Sequence, residues 1–567
     1  MNVQKTTAKI LRSVLPLNGR SSFLVAITFI VYFAVVAFSF WNDAQFFKFE
    51  FKESTSYATA SGNPHVLAFY ITVKIVFLVL SYCAVRALCS MAYEVAHGNE
   101  DRRRQLFITG ALFLVYSVIF VIIFPGIWWH TGTDEFTHFS LSRHLQVHHT
   151  QGFGMSLFMM LAQMLYGHPG TVIFVQYSIG CVIMGFIIYD LHYKKHKTVA
   201  AAILAILFFT PFMVYFAFFP MRAYLTGMFF GLFLYTYYCL SGDLKSDRRL
   251  LVRMTLLAVA IVNLRVEMLF LLLAFPIMLV LKYRKKGENA KPAWKLGFCS
   301  FAVVALSVVI ATGWSALGNK TNMPTHDMYS FLAPLGEVLA HDENAASKEE
   351  LALIDEFFDV QDMIKEHSTP AHFKGFRYER FGKKSNASKF PKEDYLKCQL
   401  TIFKILAQHP DVYLYNKAKM AFHTLGFTSD GRIGHATPSY IDPEELKPFF
   451  NTKSSQLSKW TKRFLAGDYQ IGPISAKQLC FPTWIPLLLT LVYLVVSIVA
   501  RRKTTVIMCI VVLVTYCLVY LAAVSNWVMY YFPSGFAGLL VLAVTLNDTI
   551  VSLRANKKSK AAQEQGA

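Results

Sequence analysis

Two adjacent acids, Asp134 and Glu135, stand in a stretch that carries almost no other charge. Residues 126–168 hold three formal charges (Asp134, Glu135 and Arg143) beside six of the chain's 17 histidines: His130, His138, His144, His148, His149 and His168. A carboxylate flanked by imidazoles can take the proton from an acceptor hydroxyl, which is general-base chemistry. The same acids also suit a structural role, because Thr133-Asp134 precedes a helical run and can cap its open N–H groups. His144 and His148 lie four apart and would share one helix face, as a metal pair does. No third ligand has matching spacing, so a divalent metal stays open.

Arg222 follows the turn at Pro220, and Arg265 sits inside Asn263-Leu264-Arg265-Val266-Glu267, at the centre of an apolar stretch. Positive charge at these places calls for a local reason. A guanidinium binds phosphate with two parallel hydrogen bonds and stabilises the charge a phosphate leaving group gains. The alternative is an internal ion pair, Arg265 with Glu267 or with a helix-end carbonyl. Gly-rich phosphate loops, Ser/His/Asp arrangements and kinase or ATPase motifs are absent from the sequence.

These residues must be positioned by membrane helices. The 567 residues are 55% hydrophobic and only 16% charged, well below the roughly 25% of a soluble chain. Apolar runs near 20 residues recur, long enough to cross a hydrocarbon core of about 30 Å. The first, Ser21 to Trp41, is full length with no small-residue cleavage site after it, so it reads as a span rather than a signal peptide. Further runs lie at 66–93, 105–125, 169–190, 199–219, 223–241, 296–316, 482–500, 505–524 and 530–552. The stretch 254–281 carries a charged pair that is costly in lipid, so it reads as two short helices meeting near one face. The fold class expected is an all-α polytopic bundle of about twelve spans.

Charge fixes the expected orientation. The seven loops on one side hold 27 Lys/Arg and the five short turns on the other hold five; the basic side is the cytoplasmic one. Both termini then face the cytoplasm, in an inner-type cell membrane. Residues 317–480 are nearly neutral, with 21 basic and 20 acidic residues. They read as an extracytoplasmic, mainly helical segment, with helices over Ala345–His367, Tyr395–Leu406 and Val412–Phe427. Three regions result: 1–316, a membrane domain that includes the outer loop 126–168; 317–480; and 481–567, further spans with a basic tail. Within the outer loop, Trp128-Trp129 reads as an interfacial anchor, and Phe153 to Tyr166 as an amphipathic helix lying in the interface. The net charge of +20 sits in short membrane loops, which argues against a nucleic-acid partner. Of nine cysteines only Cys398 and Cys480 fall in the outer segment, allowing at most one bridge there.

Phe124-Pro125-Gly126, then Asp134-Glu135, then His148-His149 before an apolar helix is similar to the GT-C superfamily of polytopic membrane glycosyltransferases. Bacterial members often read Tyr-Pro-Gly, an Asp and His-His-Pro here; Thr150 stands in place of that proline. Leu264-Arg265-Val266-Glu267 resembles the family's Arg-x-acid signature between short central helices, and His409-Pro410-Asp411-Val412-Tyr413 resembles a His-Pro-x-x-Tyr of its outer segment. The resemblance implies transfer of a sugar from a polyprenyl-phosphate donor to a glycan or lipid-linked acceptor, typically with inversion, within cell-envelope glycan modification. It implies Asp134 or Glu135 as base and Arg222 or Arg265 as phosphate ligand. On that expectation His148, His149 and Glu267 help to hold substrate, and some members need a divalent ion. A polymerase or ligase of lipid-linked glycans is a near neighbour, distinguished by its acceptor. A transporter or flippase is the rival from another class, since broken helices with charged groups also line substrate pathways.

Overall fold

The computed structural model describes residues 22–46, 66–124, 134–143, 145–147, 153–284, 291–317, 328–342, 344–366, 391–427, 455–467, 470–471, 474–523 and 528–565. Apart from a two-residue β-ladder the regular elements among the described residues are helices. The membrane half runs α1 (Ser22–Phe46), α2 (Val66–Ala96), α3 (Glu100–Ile123), α4 (Asp134–Arg143), α5 (Phe153–Leu165), α6 (Pro169–Tyr189), α7 (Thr198–Phe208), α8 (Pro211–Ala217), α9 (Arg222–Cys239), α10 (Arg248–Leu264), α11 (Leu271–Tyr283) and α12 (Lys291–Leu317). Then come α13 (Tyr329–His341), α14 (Lys348–Phe357), α15 (Val360–Glu366), α16 (Lys392–Gln408), α17 (Pro410–Thr424), α18 (Gln456–Ala466) and α19 (Ala476–Cys480). Helices α20 (Trp484–Val499), α21 (Lys503–Ala522) and α22 (Phe532–Gln565) complete the order.

Each run expected to span is helical, but nine described helices are long and apolar enough to cross a membrane, or ten if a bent pair counts as one. The pair is α7 and α8, which meet at 59° where a single helix was expected over 199–219. Pro211 opens α8 and cannot continue the preceding ladder, so the axis turns there. Two expected spans, α9 and α10, fall outside the nine. Helix α9 is buried along nearly its whole length, so its tyrosines and threonines meet protein instead of lipid. Helix α10 spends its first turns on Arg248, Arg249 and Arg253.

Close packing explains the placement of α9. Gly227 and Gly231 stand four apart, and a Cβ on either would come within 2.7 Å of Phe532 or 2.6 Å of Phe536. The two bare positions receive rings from α22, the small-residue packing that membrane helices use. At one end of the bundle Asp548 gathers Lys197 at 2.6 Å, Arg502 at 3.2 Å and the Tyr238 hydroxyl at 2.9 Å. That cluster ties the start of α7 and the loop before α21 to α22.

A buried ion pair fastens the opposite end. Lys74 of α2 donates to Asp43 of α1 at 2.6 Å, and Tyr70 donates to the same oxygen. Ser39 and Asn42 donate to the carbonyls of Met164 and Gln163, each at 2.7 Å, and Asn42 accepts from the Gly167 amide. The α1–α2 hairpin therefore grips the last turn of α5. Asp43 and Lys74 escaped the sequence reading, although a lone ionisable residue inside an apolar run is itself a signal.

Beyond α12 a second apolar core gathers Leu332, Leu335, Ile354, Phe357, Cys398 and Ile402. The helix expected over 345–367 is broken: Ser347 caps α14 through a capping box with Glu350, and Phe358 leaves it in extended conformation before α15. The expected joint at Gln408-His409-Pro410 is present, with Pro410 opening α17. All nine cysteines are free, so Cys398 and Cys480 form no bridge.

This core docks on α21 through polar contacts. The Tyr413 hydroxyl donates to the Leu521 carbonyl at 3.2 Å, and Tyr520 donates to that of Leu414 at 2.7 Å. Lys417, with no exposed surface, donates to the carbonyls of Ser330 at 2.6 Å and Ala523 at 2.8 Å. Burial pushes its ammonium down to about 7. The folded chain then gives up this proton near pH 7 and the unfolded chain near pH 10. Across that window the unfolded state holds more protons, so stability rises with pH. The thermal midpoint in detergent is expected to climb between pH 7 and 10, by on the order of 1–3 kcal/mol of stability. Lys417→Met should flatten that part of the profile; an unchanged slope would count against the assignment.

Candidate functional site

The break between α10 and α11 presents Arg265. Its backbone is extended (φ −141°, ψ 129°), which ends α10, and residues Val266–Phe270 form a short 3-10 turn before α11. The side chain is 2% exposed and grips Glu267 with both arms of its fork, Nη2 to Oε1 at 3.0 Å and Nε to Oε2 at 3.3 Å. Nη1 donates to the Tyr530 carbonyl at 3.4 Å, and the guanidinium lies over the Tyr530 ring. The internal ion pair considered for Arg265 is therefore formed.

Arg222 comes to the same place from another part of the chain. It is the first residue of α9, half-buried, and Glu267 feels the charge of Arg222 as well as that of Arg265. Gln176 of α6, fully buried, fixes the preceding turn by donating to the carbonyls of Phe216, Ala217 and Phe219. No side chain caps α9, so its first N–H groups point out of the helix end beside the arginine. Two guanidinium groups around one carboxylate leave one net positive charge, and the helix end adds to it.

Helix α5 is seated against this break. A Cβ on Gly154 would meet the Asn263 carbonyl oxygen at 2.8 Å and the Leu264 nitrogen at 3.0 Å, so backbone touches backbone one residue from Arg265. Asn263 is held by hydrogen bonds to the Val259 carbonyl at 2.8 Å and Ser307 at 3.2 Å. Gln163 of α5 donates to Ser142 at 2.5 Å and to the Phe139 carbonyl at 3.3 Å, fixing the end of α4. Helix α5 was expected to lie in the lipid interface. Instead Met155, Met159, Ala162, Gln163 and Met164 are buried, and α1, α2, α4 and α6 cover it. Its apolar residues on both faces are what such enclosure needs.

Asp134 and Glu135 open α4, but their side chains lie outside the described residues. His130, His144, His148, His149 and the Trp128-Trp129 pair also lie outside them. His138 and Arg143 are buried on α4. His168 caps α6 by accepting from the Gly170 amide, and burial lowers its pKa to about 4, so it is a neutral structural residue. Among the described residues no three His, Cys, Asp or Glu side chains converge on a metal position. The Tyr530 carbonyl, the Gln176 brace and the Gly154 contact were not foreseen; of these only the glycine, opening an otherwise bulky apolar helix, left a trace in the sequence.

No family model, no curated protein and no solved structure matches this chain significantly.

Proposed function

We propose that this chain is a GT-C-type membrane glycosyltransferase of about twelve spans. It moves a sugar from a polyprenyl-phosphate donor to an acceptor hydroxyl at the extracytoplasmic face of a cell membrane. The observation that carries the reading is the meeting of Arg222, Arg265 and Glu267, remote in sequence, at a break on which the first outer loop's helix is seated. Because Glu267 occupies the fork of Arg265, Arg222 supplies the uncommitted positive charge and is the first ligand of the donor phosphate. Arg265 holds the carboxylate that orients it. As the glycosidic bond breaks, charge gathers on the departing phosphate, and both guanidinium groups stabilise it. Asp134, or its neighbour Glu135, takes the acceptor proton, and attack from the face opposite the phosphate inverts the anomeric carbon. His148 and His149 hold substrate at the end of the loop.

The test uses purified protein in proteoliposomes with a panel of radiolabelled polyprenyl-phosphate hexoses. Asp134→Asn or Glu135→Gln should lower transfer by about 10²–10⁴-fold, the usual worth of a general base. Arg222→Gln should raise KM for the donor. Wild-type rates in both acid variants would remove the assigned base, and no transfer from any donor would overturn the reading.

A further inference from the structure

We infer that α18 is an interfacial helix whose exposed aromatic face is embedded in the bilayer and whose basic flank binds the phosphates of anionic lipids. The helix is well bounded. Ser455 accepts from the Ser458 amide at its start, and Gly467, in the left-handed region at φ 68°, ends it. Its inward side buries Ser458 and Leu465, and the helix packs on α3 and α8.

The outward side is unusual for a surface helix. Leu457 is 57% exposed, Trp460 56% and Phe464 45%, and the Trp460 and Phe464 rings stack at 5.5 Å. At about 100° per residue these three share one stripe, and Lys459 and Arg463, both exposed, follow about 60–100° further round. Aromatic bulk on one face with lysine and arginine beside it is the pattern of a helix lying in a membrane interface. The long basic side chains can reach headgroup phosphates while their stems cover apolar surface.

Lipid is favoured as occupant by continuity with the lipid-facing wall. On α3, against which α18 packs, Val118 and Val121 are 53% and 74% exposed toward the same end of the bundle. A stacked trio, Phe422, Phe427 and Trp484, stands where α17 meets the start of α20, with ring separations of 4.8 and 5.4 Å. Such rings gather at the boundary between hydrocarbon and headgroups.

The experiment reconstitutes full-length protein in nanodiscs of brominated phosphatidylcholine, with and without phosphatidylglycerol. The Trp460 contribution is taken as wild type minus Trp460→Phe, a substitution that keeps the aromatic bulk. More than half of it is expected to be quenched by lipid bromines near the headgroup, with little quenching by aqueous acrylamide. The reverse pattern, acrylamide but not bromolipid, marks a surface that faces water or a protein partner and overturns the proposal. Lys459→Gln/Arg463→Gln is expected to retain two- to threefold less phosphatidylglycerol on repurification, with Trp460 still quenched. Equal retention overturns the headgroup assignment.

Discussion

Arg265→Leu is expected to destabilise the protein by about 3–5 kcal/mol, the cost of leaving a buried carboxylate without its partner. Glu267 accepts both arms of this guanidinium and sits 16% exposed. Arg222 does not replace that grip, since it reaches Glu267 through charge alone. Arg265→Leu/Glu267→Leu removes both charges and is expected to regain most of the lost stability, because apolar replacement of a buried pair is often neutral. Transfer should stay lost in this double variant if the guanidinium serves the donor phosphate. Thermal unfolding in detergent together with turnover of a lipid-linked donor separates the two effects. A stable double variant with wild-type turnover would reduce Arg265 to a structural partner. Arg265→Lys keeps the charge but loses the fork, so it should lie between.

On the proposed function, Gly154→Val is expected to lower transfer about 100-fold while costing only about 1–3 kcal/mol of stability. The added carbons would press on the Asn263 carbonyl, which is backbone and cannot swing aside. The Asn263 side chain is itself bonded to Val259 and Ser307, so α5 must retreat. A retreat of about 1 Å would carry α4, which Asp134 opens and Gln163 ties to α5, away from the arginine break, and on the proposed mechanism misplacement on that scale costs roughly two orders of magnitude in rate. Gly110→Ala on α3 is the control, since nothing lies within 4 Å of its Cβ. Should Gly154→Val transfer at the wild-type rate, the seating of α5 has no part in catalysis.

The all-helical architecture was legible because a membrane leaves few choices: long apolar runs become helices, and their lengths are set by bilayer thickness. The break at Arg265 was legible for the same reason, since a guanidinium and a carboxylate two positions apart are costly in lipid. The enclosure of α5 was not. A thirteen-residue apolar helix has the same composition whether lipid or protein surrounds it, and the choice was made by Lys74, Asp43, Ser39 and Asn42, more than eighty residues upstream. The Tyr530 carbonyl was hidden more deeply, because every residue carries one and only the folded chain decides which meets Arg265. Arg222 was found by its charge, whereas its brace, Gln176, is an uncharged residue in an apolar run.

The 59° bend between α7 and α8 has a consequence for depth. Eleven residues of α7 rise about 16 Å, and seven residues of α8, tilted by that angle, add only about 5 Å. The sum falls short of the roughly 30 Å of a hydrocarbon core. If α7 starts at one boundary beside Lys197 and runs along the membrane normal, the two helices by themselves leave Pro220 and Arg222 short of the other. On the proposed function, an arginine recessed in this way would be met by a lipid-linked phosphate sliding sideways from the leaflet with its tail still in oil.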